Sequence, residues 1–359
     1  MWLLINIFMK VNTISIIGGG TAGFVSALIL KKSFPSIDVT VIRSKDIGII
    51  GVGEGSTEHW SEFMEFMGID VRTLIRETDA TFKSGIMFKG WGGPDYLQSI
   101  GDGFNVTYNG YPHMYGNKVS KNADPKELVS PLSWNSRANI WFLGQESCQV
   151  QQFHFNTHKL NQFLENLSLE LGINVIDDEI ILVDVDEKGI GTLHGKASSY
   201  NSDFYVDCTG FRRLLMNKLG CEWESYSKYL KMKSAIVFPT EEMSPLPMWT
   251  TAQAMDCGWL FRIPVQGRTG NGYIFDSDYI TKDDAHNEVN KLFGKEVEIA
   301  KHITFDPGAL KDVWIKNCVA IGLSASFVEP LEASSIGTSI QQAVLLAENI
   351  VNYSYLNIQ

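Results

Sequence analysis

The sequence predicts an α/β fold organised around a dinucleotide-binding βαβ unit, and three observations lead there. An apolar strand, Thr13–Ile17, runs directly into Gly18-Gly19-Gly20-Thr21-Ala22-Gly23 and a helix. A second apolar strand, Asp38–Ile42, follows that helix and completes the unit. From about Lys228 to Asp278 the chain reads instead as strands and turns, the pattern of a further sheet.

The glycines account for the first turn. A GxGxxG run lets the backbone turn tightly and approach a pyrophosphate, whose charge is met by the N–H groups at the positive end of the helix. The helix is expected to reach about Phe34, with Pro35 as its stop. The acidic residue expected about 20 positions on, for the adenosine ribose, is missing. Arg43-Ser44-Lys45 stands there, and an arginine at that point can accommodate an extra phosphate, stack on adenine or face solvent.

A second glycine-rich loop, Gly51-Val52-Gly53-Glu54-Gly55, suits either close approach to a flat ligand or a flexible turn. Ser56 or Thr57 is the expected N-cap of a helix through Trp60, Phe63, Met64 and Met67 that ends at Gly68. Thr81–Trp91 then sets Lys83 among Phe82, Ile86, Met87, Phe88 and Trp91. A strand-borne lysine is more often solvated than catalytic. If the segment stays extended, Lys83 and Lys89 share one face. From Trp91 to about Trp141 periodicity is poor while aromatics and glycines are dense, which fits a pocket for a planar substrate or an ordered loop packing its own rings.

Phe153-His154-Phe155 leads into a helix through Leu160, Phe163, Leu164 and Leu167, and Ile173–His194 alternates as a hairpin with its turn at Asp186–Gly189. Asp203–Gly210 is a strand ending in small residues beside Phe211 and Arg212, suited to a crossing near the cofactor. Cys318–Gly322 is another buried strand. After it, Leu323–Glu332 turns into a last helix with Ile336, Ile340, Val344, Ala347 and Val351 on its inner face.

Composition narrows the function. With 359 residues and 44% apolar content, the chain suffices for one large α/β domain or two smaller ones. A formal charge of −11, without a long run of either sign, argues against a phosphate-backbone footprint, so no nucleic acid partner is expected. The five cysteines, Cys148, Cys208, Cys221, Cys257 and Cys318, lack paired spacing. Neither a disulfide framework nor a metal site is expected, and a cytoplasmic location fits. Met1–Met9 is apolar but lacks a basic n-region and a cleavage site and is too short to span a bilayer. Met9 is a candidate start, and no membrane segment is expected.

These motifs resemble the flavin-dependent halogenases, the tryptophan-halogenase-like branch of the flavin monooxygenase superfamily. Gly18–Gly23 followed by Phe24 is similar to the family's GGGTAGW, and Gly51-Val52-Gly53-Glu54 to its GVGE strap beside the isoalloxazine ring. Phe82-Lys83, with Phe88 and Trp91 beyond, resembles the segment that carries the catalytic lysine, and Asp207-Cys208-Thr209-Gly210 resembles DCSG. Trp259–Pro264 stands where the family has WxWxIP, with Phe261 in place of the second tryptophan. Phe327–Glu332, with Ser334 and Gly337, is similar to the flavin- and halide-side segment, where Glu332 takes the place of the catalytic glutamate.

The resemblance implies a Rossmann-like FAD-binding domain of the flavin monooxygenase type, with an inserted β-sheet layer facing the substrate. Within a single unit over 1–359, FAD-binding parts would fall at about 10–90, 150–225 and 300–355, and substrate-facing parts at about 91–149 and 226–299. FAD, as FADH2, would be held by Gly18, Gly20, Thr21, Ala22, Gly23, Arg43, Gly51, Val52, Gly53, Glu54, Gly322 and Ile336. With a halide ion and O2 it would yield hypohalous acid. Lys83 would pass the halogen to an electron-rich aromatic, and Glu332 would stabilise and deprotonate the cationic intermediate. Trp259, Phe261, Ile263, Pro264, Ser334 and Gly337 would serve the halide and gate the oxidant. A separate NAD(P)H-dependent flavin reductase is the implied partner.

Family members continue with a helical region that supplies part of the indole pocket, and this chain ends where that region would begin. The aromatic is therefore left open, and a homo-oligomer is one way to cover the face those helices would cover. Two other readings stand beside the halogenase: a flavin-dependent aromatic hydroxylase, which Phe261 allows, and a non-catalytic flavin-binding fragment. For the lysine to act, it needs enough burial to lower its pKa and free a lone pair, and it needs Glu332 within reach.

Overall fold

The computed structural model describes residues 11–49, 51, 53–83, 85–99 and 152–355. Val52, Cys148, the first ten residues and the aromatic-rich stretch beyond Ser99 lie outside the described residues.

Strand β1 (Thr13–Ile17), helix α1 (Thr21–Ser33) and strand β2 (Asp38–Arg43) form the expected unit. Residues Gly23 to Leu30 of α1 are all buried, so this helix is a core element. The two-residue β3 (Glu54–Gly55) precedes α2 (His59–Met67) and α3 (Val71–Thr78). Trp60, Phe63 and Met64 of α2 enter the core, and Gly68 closes the helix in the left-handed region at φ +76°. Its N-cap is Glu58 rather than Ser56 or Thr57. Those two hydroxyls are engaged elsewhere: Ser56 Oγ accepts from the Phe153 N–H, and Thr57 Oγ1 pairs with His59 Nδ1.

Short strands β4 (Thr81–Phe82), β5 (Gly85–Lys89) and β6 (Tyr96–Ser99) follow. Next come β7 (Phe153–Phe155) and α4 (Thr157–Glu170), with Leu160, Phe163 and Leu164 buried. Strand β8 (Asn174–Asp177) leaves the expected hairpin to pair with β2. The hairpin proper is β9 (Ile180–Asp186) and β10 (Gly189–Gly195), extended by β11 (Ser199–Tyr200). Strand β12 (Phe204–Asp207), helix α5 (Leu214–Lys218) and β13 (Trp223–Ser225) lead to four longer strands, β14 (Ser234–Thr240), β15 (Thr250–Met255), β16 (Gly258–Val265) and β17 (Arg268–Phe275). Helix α6 (Lys282–Phe293), β18 (Lys301–Thr304), β19 (Gly308–Leu310), β20 (Trp314–Ile315), β21 (Cys318–Ala320), β22 (Ser326–Phe327) and α7 (Ser335–Tyr355) complete the order.

Two large sheets result. The first runs β20-β21-β12-β1-β2-β8, parallel except at β20. Helices α1, α4 and α7 contribute to the core against it, where Ile14, Ile16, Phe24, Leu28, Leu160 and Ile340 meet. Leu193, Tyr205 and Leu215 belong to a second cluster, with Ile17 and Ile42. The second sheet, β18-β14-β17-β16-β15-β5-β6, is antiparallel apart from the parallel pairing of β5 with β15. A small sheet, β3-β7-β4, ties the glycine-rich loop to the lysine segment.

In α7, Ile336, Ile340 and Ala347 are buried as expected, whereas Val344 is 40% exposed. Ala343, Leu346 and Ile350 are buried instead, because the helical repeat carries 344 off the stripe that begins at 336 and 340. The Val351 side chain lies outside what is described. Among the described residues no helix is long and apolar enough to cross a membrane.

Candidate active site

A cavity of about 600 Å³ lies against the C-terminal end of the parallel strands and the antiparallel sheet, the place where open α/β sheets bind ligands. Gly18, Gly20, Thr21, Ala22, Arg43, Gly53, Glu54, Gly322 and Ile336 line it, as do Trp259, Phe261, Ile263 and Ser334. Gly18 sits at φ +114°, and a Cβ there would stand 2.2 Å from the Cys208 carbonyl oxygen. At Gly20 a Cβ would meet nothing within 4 Å. Helix α1 has neither a side-chain cap nor an acidic residue in its first turn, so its leading N–H groups are left for an anion. This cradle fits the pyrophosphate of a dinucleotide.

Two expected cofactor residues, Gly23 and Gly51, stand apart from the lining. Gly23 serves packing, since its Cβ would fall 1.9 Å from the Gly18 carbonyl oxygen. Gly51 lies against His158, with 2.7 Å from a Cβ to Nε2, and Val52 is not described. Gly322, at φ +71°, permits close approach to α1, where a Cβ would stand 2.8 Å from that of Ala22. Of the alternatives for Arg43, a solvent-facing side chain is excluded. Its side chain is 11% exposed and pairs with Glu165 and, at 3.6 Å, with Asp177. Glu165 of α4 and Asp177 of β8 thus hold the guanidinium, and neither is in the cavity lining. Two carboxylates already occupy the guanidinium, which disfavours an extra phosphate there.

Glu54 borders the cavity and accepts from Thr21 Oγ1 at 3.2 Å. Burial pushes its pKa up to about 7, with the Thr21 hydrogen bond opposing, although the residue as a whole is only half-buried in the cavity wall.

Lys83 is not part of a strand. β4 stops at Phe82 and β5 starts at Gly85, and this break resets the alternation of faces. Lys83 is 2% exposed, while Lys89 is exposed, so the two do not share a face. The Lys83 Nζ donates to the Ser56 carbonyl at 2.8 Å. Burial lowers its pKa to about 8, against the opposing charges of Glu332 and Glu58. Gly55 leaves room for it, since a Cβ there would lie 3.2 Å from Nζ and 3.1 Å from the Ala333 Cβ. Glu332 ends a short 3-10 turn, Pro330–Glu332, and accepts from Gln98 Nε2 at 3.3 Å. The Glu332 charge therefore acts on the Lys83 amine, and both residues lie outside the cavity lining.

The antiparallel sheet supplies the apolar wall. Trp259 Nε1 donates to Glu329 Oε2 at 3.1 Å, which gives that carboxylate a partner beside the cavity. The Phe261 ring presses on Gly272, where a Cβ would fall 2.2 Å from its Cζ. Pro264 and Gly337 are outside the lining. The Pro264 carbonyl accepts from Thr81 Oγ1 at 2.6 Å, and Gly337 is a packing glycine whose Cβ would stand 2.1 Å from Thr57 Oγ1. Sequence reasoning did not single out Gly55, the Ser56 carbonyl, Glu58 or Gln98 around the lysine. A backbone carbonyl leaves no trace in residue type, and the others act through pairings distant in sequence.

A glycine-lined cavity against a parallel sheet, closed by an apolar antiparallel layer and flanked by a buried amine, is the layout of a flavoprotein oxidoreductase. The chain belongs to the tryptophan halogenase family, whose model matches residues 13–354. The tryptophan 6-halogenase SttH of Streptomyces toxytricini is 32% identical over 366 residues, which take in 90% of this chain and 69% of that protein. The tryptophan 7-halogenase RebH of Lentzea aerocolonigenes is 30% identical over 360 residues, or 91% and 68% of the two chains. Among solved structures, SttH matches with a TM-score of 0.81 at 29% identity, covering 94% of this chain and 71% of its own. A flavin-dependent halogenase from Xanthomonas campestris matches with 0.80 at 30% identity, covering 93% and 70%. The expected flavin-monooxygenase-type fold is borne out by these likenesses.

Proposed function

We propose that the protein is an FADH2-dependent halogenase that makes hypohalous acid from a halide ion and O2 and transfers the halogen to an electron-rich aromatic by way of Lys83. One observation carries this reading: a lysine amine, 2% exposed and with its pKa lowered to about 8, feels the Glu332 charge while lying outside the lining of the cofactor cavity. Bound reduced FAD supplies the electrons and oxygen activation that oxidise the halide. Gly18, Gly20, Thr21 and Ala22 hold its pyrophosphate, Glu54, Gly53, Gly322 and Ile336 border the rest, and Arg43 serves the adenosine side.

Trp259, Phe261 and Ile263 keep an organic substrate off the cofactor and pass only the small oxidant, while Ser334 serves the halide. Lys83 holds hypohalous acid by a hydrogen bond or as a haloamine, using the lone pair that burial frees. Glu332 stabilises the cationic arene and takes up its proton. FADH2 comes from a separate NAD(P)H-dependent reductase in the cytoplasm. The test is Lys83→Ala assayed with reduced FAD, O2, bromide and an indole. The variant binds FAD as wild type does and forms no brominated indole; normal bromination by Lys83→Ala would refute the assigned role.

A further inference from the structure

Strand β7 carries a buried titratable group for which the proposed chemistry has no use. His154 is 0% exposed. Its Nδ1 lies 3.0 Å from Thr81 Oγ1, and its Nε2 lies 2.9 Å from Thr250 Oγ1. Thr81 Oγ1 also lies 2.6 Å from the Pro264 carbonyl oxygen. A carbonyl only accepts, so the single Thr81 proton goes to Pro264, and His154 must donate to Thr81 from Nδ1. Nε2 is then the acceptor, and Thr250 donates to it. Burial holds the imidazole well below its ordinary pKa, and the Lys83 charge acts in the same direction, which agrees with a neutral ring that has one donor and one acceptor.

The chain of bonds has an address at each end. Thr250 lines the cavity and begins β15. Pro264 lies on β16, in the same segment as Trp259, Phe261 and Ile263. Thr81 sits opposite His154 in the β4–β7 pairing, two positions before Lys83, whose own N–H donates to the Gln152 carbonyl at 3.0 Å. The lysine segment is thus held by β7 along its backbone and by the imidazole through its side chains.

We propose that His154 is a positioning residue: as the Nδ1–H tautomer it locks the Lys83 segment onto the gate strand β16 and so fixes the amine in its dry site. This rests on Lys83 being the halogen carrier. His154 acts through Thr81 and Pro264 and touches neither substrate nor oxidant. The titratable groups whose charges act on or respond to Lys83 are Glu332 and Glu58, from the turn before α7 and the start of α2, and His154 of β7.

Two readouts test the proposal, one of them independent of any halogenation. In protein carrying 13C-labelled lysine, the Lys83 side-chain signal, assigned by its loss in Lys83→Met, is titrated by NMR for wild type, Thr81→Val, Thr250→Val and Thr81→Ser. Wild type titrates at about pH 8. Thr81→Val and Thr250→Val move the midpoint up by about one pH unit or more as the amine reaches water, and Thr81→Ser, which keeps the hydroxyl, does not. A midpoint unchanged in both valine variants overturns the proposal. The second readout is the ratio of brominated indole to free hypobromous acid caught by a diketone trap. It falls about tenfold in Thr81→Val, whose residue stands outside the cavity lining, while FAD affinity and total oxidant hold. A fall in FAD affinity and oxidant parallel to the product means a merely structural role and also overturns it. If wild type yields no oxidant while the titration behaves as stated, the halogenase reading fails and the lock stands.

Discussion

At the scale of single residues, Lys83 works against the fold. Its pKa is about 8 in the folded chain against an ordinary 10.5. Between those values the unfolded chain binds more protons, so stability rises with pH through that window, and the whole penalty is present below pH 8. The penalty is on the order of 3 kcal/mol, so Lys83→Met is expected to gain roughly 2 kcal/mol at pH 7, read as a higher thermal midpoint. A lower midpoint would show that the amine is held by favourable contacts instead. The same shift sets activity: the neutral amine grows as pH rises from 7, so the halogenation rate should climb along a limb with its midpoint near 8. A flat rate across that range would contradict a free lone pair on Lys83. Glu54 has the opposite sign. Its pKa is raised from 4.5 to about 7, so the native state binds the extra proton and stability falls as pH rises between those values. Glu54→Gln should flatten that slope, which denaturant midpoints measured across the window will show.

At the scale of elements, glycines decide how closely the layers approach. Gly18→Ala places a methyl at φ +114° and 2.2 Å from the Cys208 carbonyl oxygen, so it should cost more than about 1 kcal/mol and abolish FAD binding. Gly20→Ala meets no protein atom within 4 Å, so it should fold normally and weaken FAD binding alone. Fluorescence titration with FAD separates the two, and equal affinity of Gly20→Ala and wild type would remove Gly20 from the cradle. The β1–α1–β2 unit and the β9–β10 turn were legible in the sequence because periodicity and glycine geometry are local. The lysine site was legible only as an apolar context. Its anchor, the Ser56 carbonyl, is 27 positions from Lys83, and the Thr81 bond to Pro264 spans 183. The N-cap of α2 was misplaced for the same reason, since Ser56 Oγ is taken by Phe153, 97 positions away. Val344 was misplaced by one step of the stripe that Ile336, Ile340 and Ala347 keep.

At the scale of the molecule, the parallel sheet builds a cavity and the antiparallel sheet walls it with Trp259, Phe261 and Ile263, while Lys83 and Glu332, whose charges interact, lie outside that lining. This division is what a diffusible small oxidant requires. A hydroxylase needs its organic substrate against the cofactor, within reach of the reacting oxygen. The product therefore discriminates between them. Wild-type protein, supplied with FADH2 by a flavin reductase, O2, bromide and a panel of indoles and phenols, is followed by accurate-mass analysis of the products. The account predicts replacement of one aromatic hydrogen by bromine, with the paired bromine isotope pattern and no oxygen gained. A product carrying one added oxygen and no bromine would contradict it.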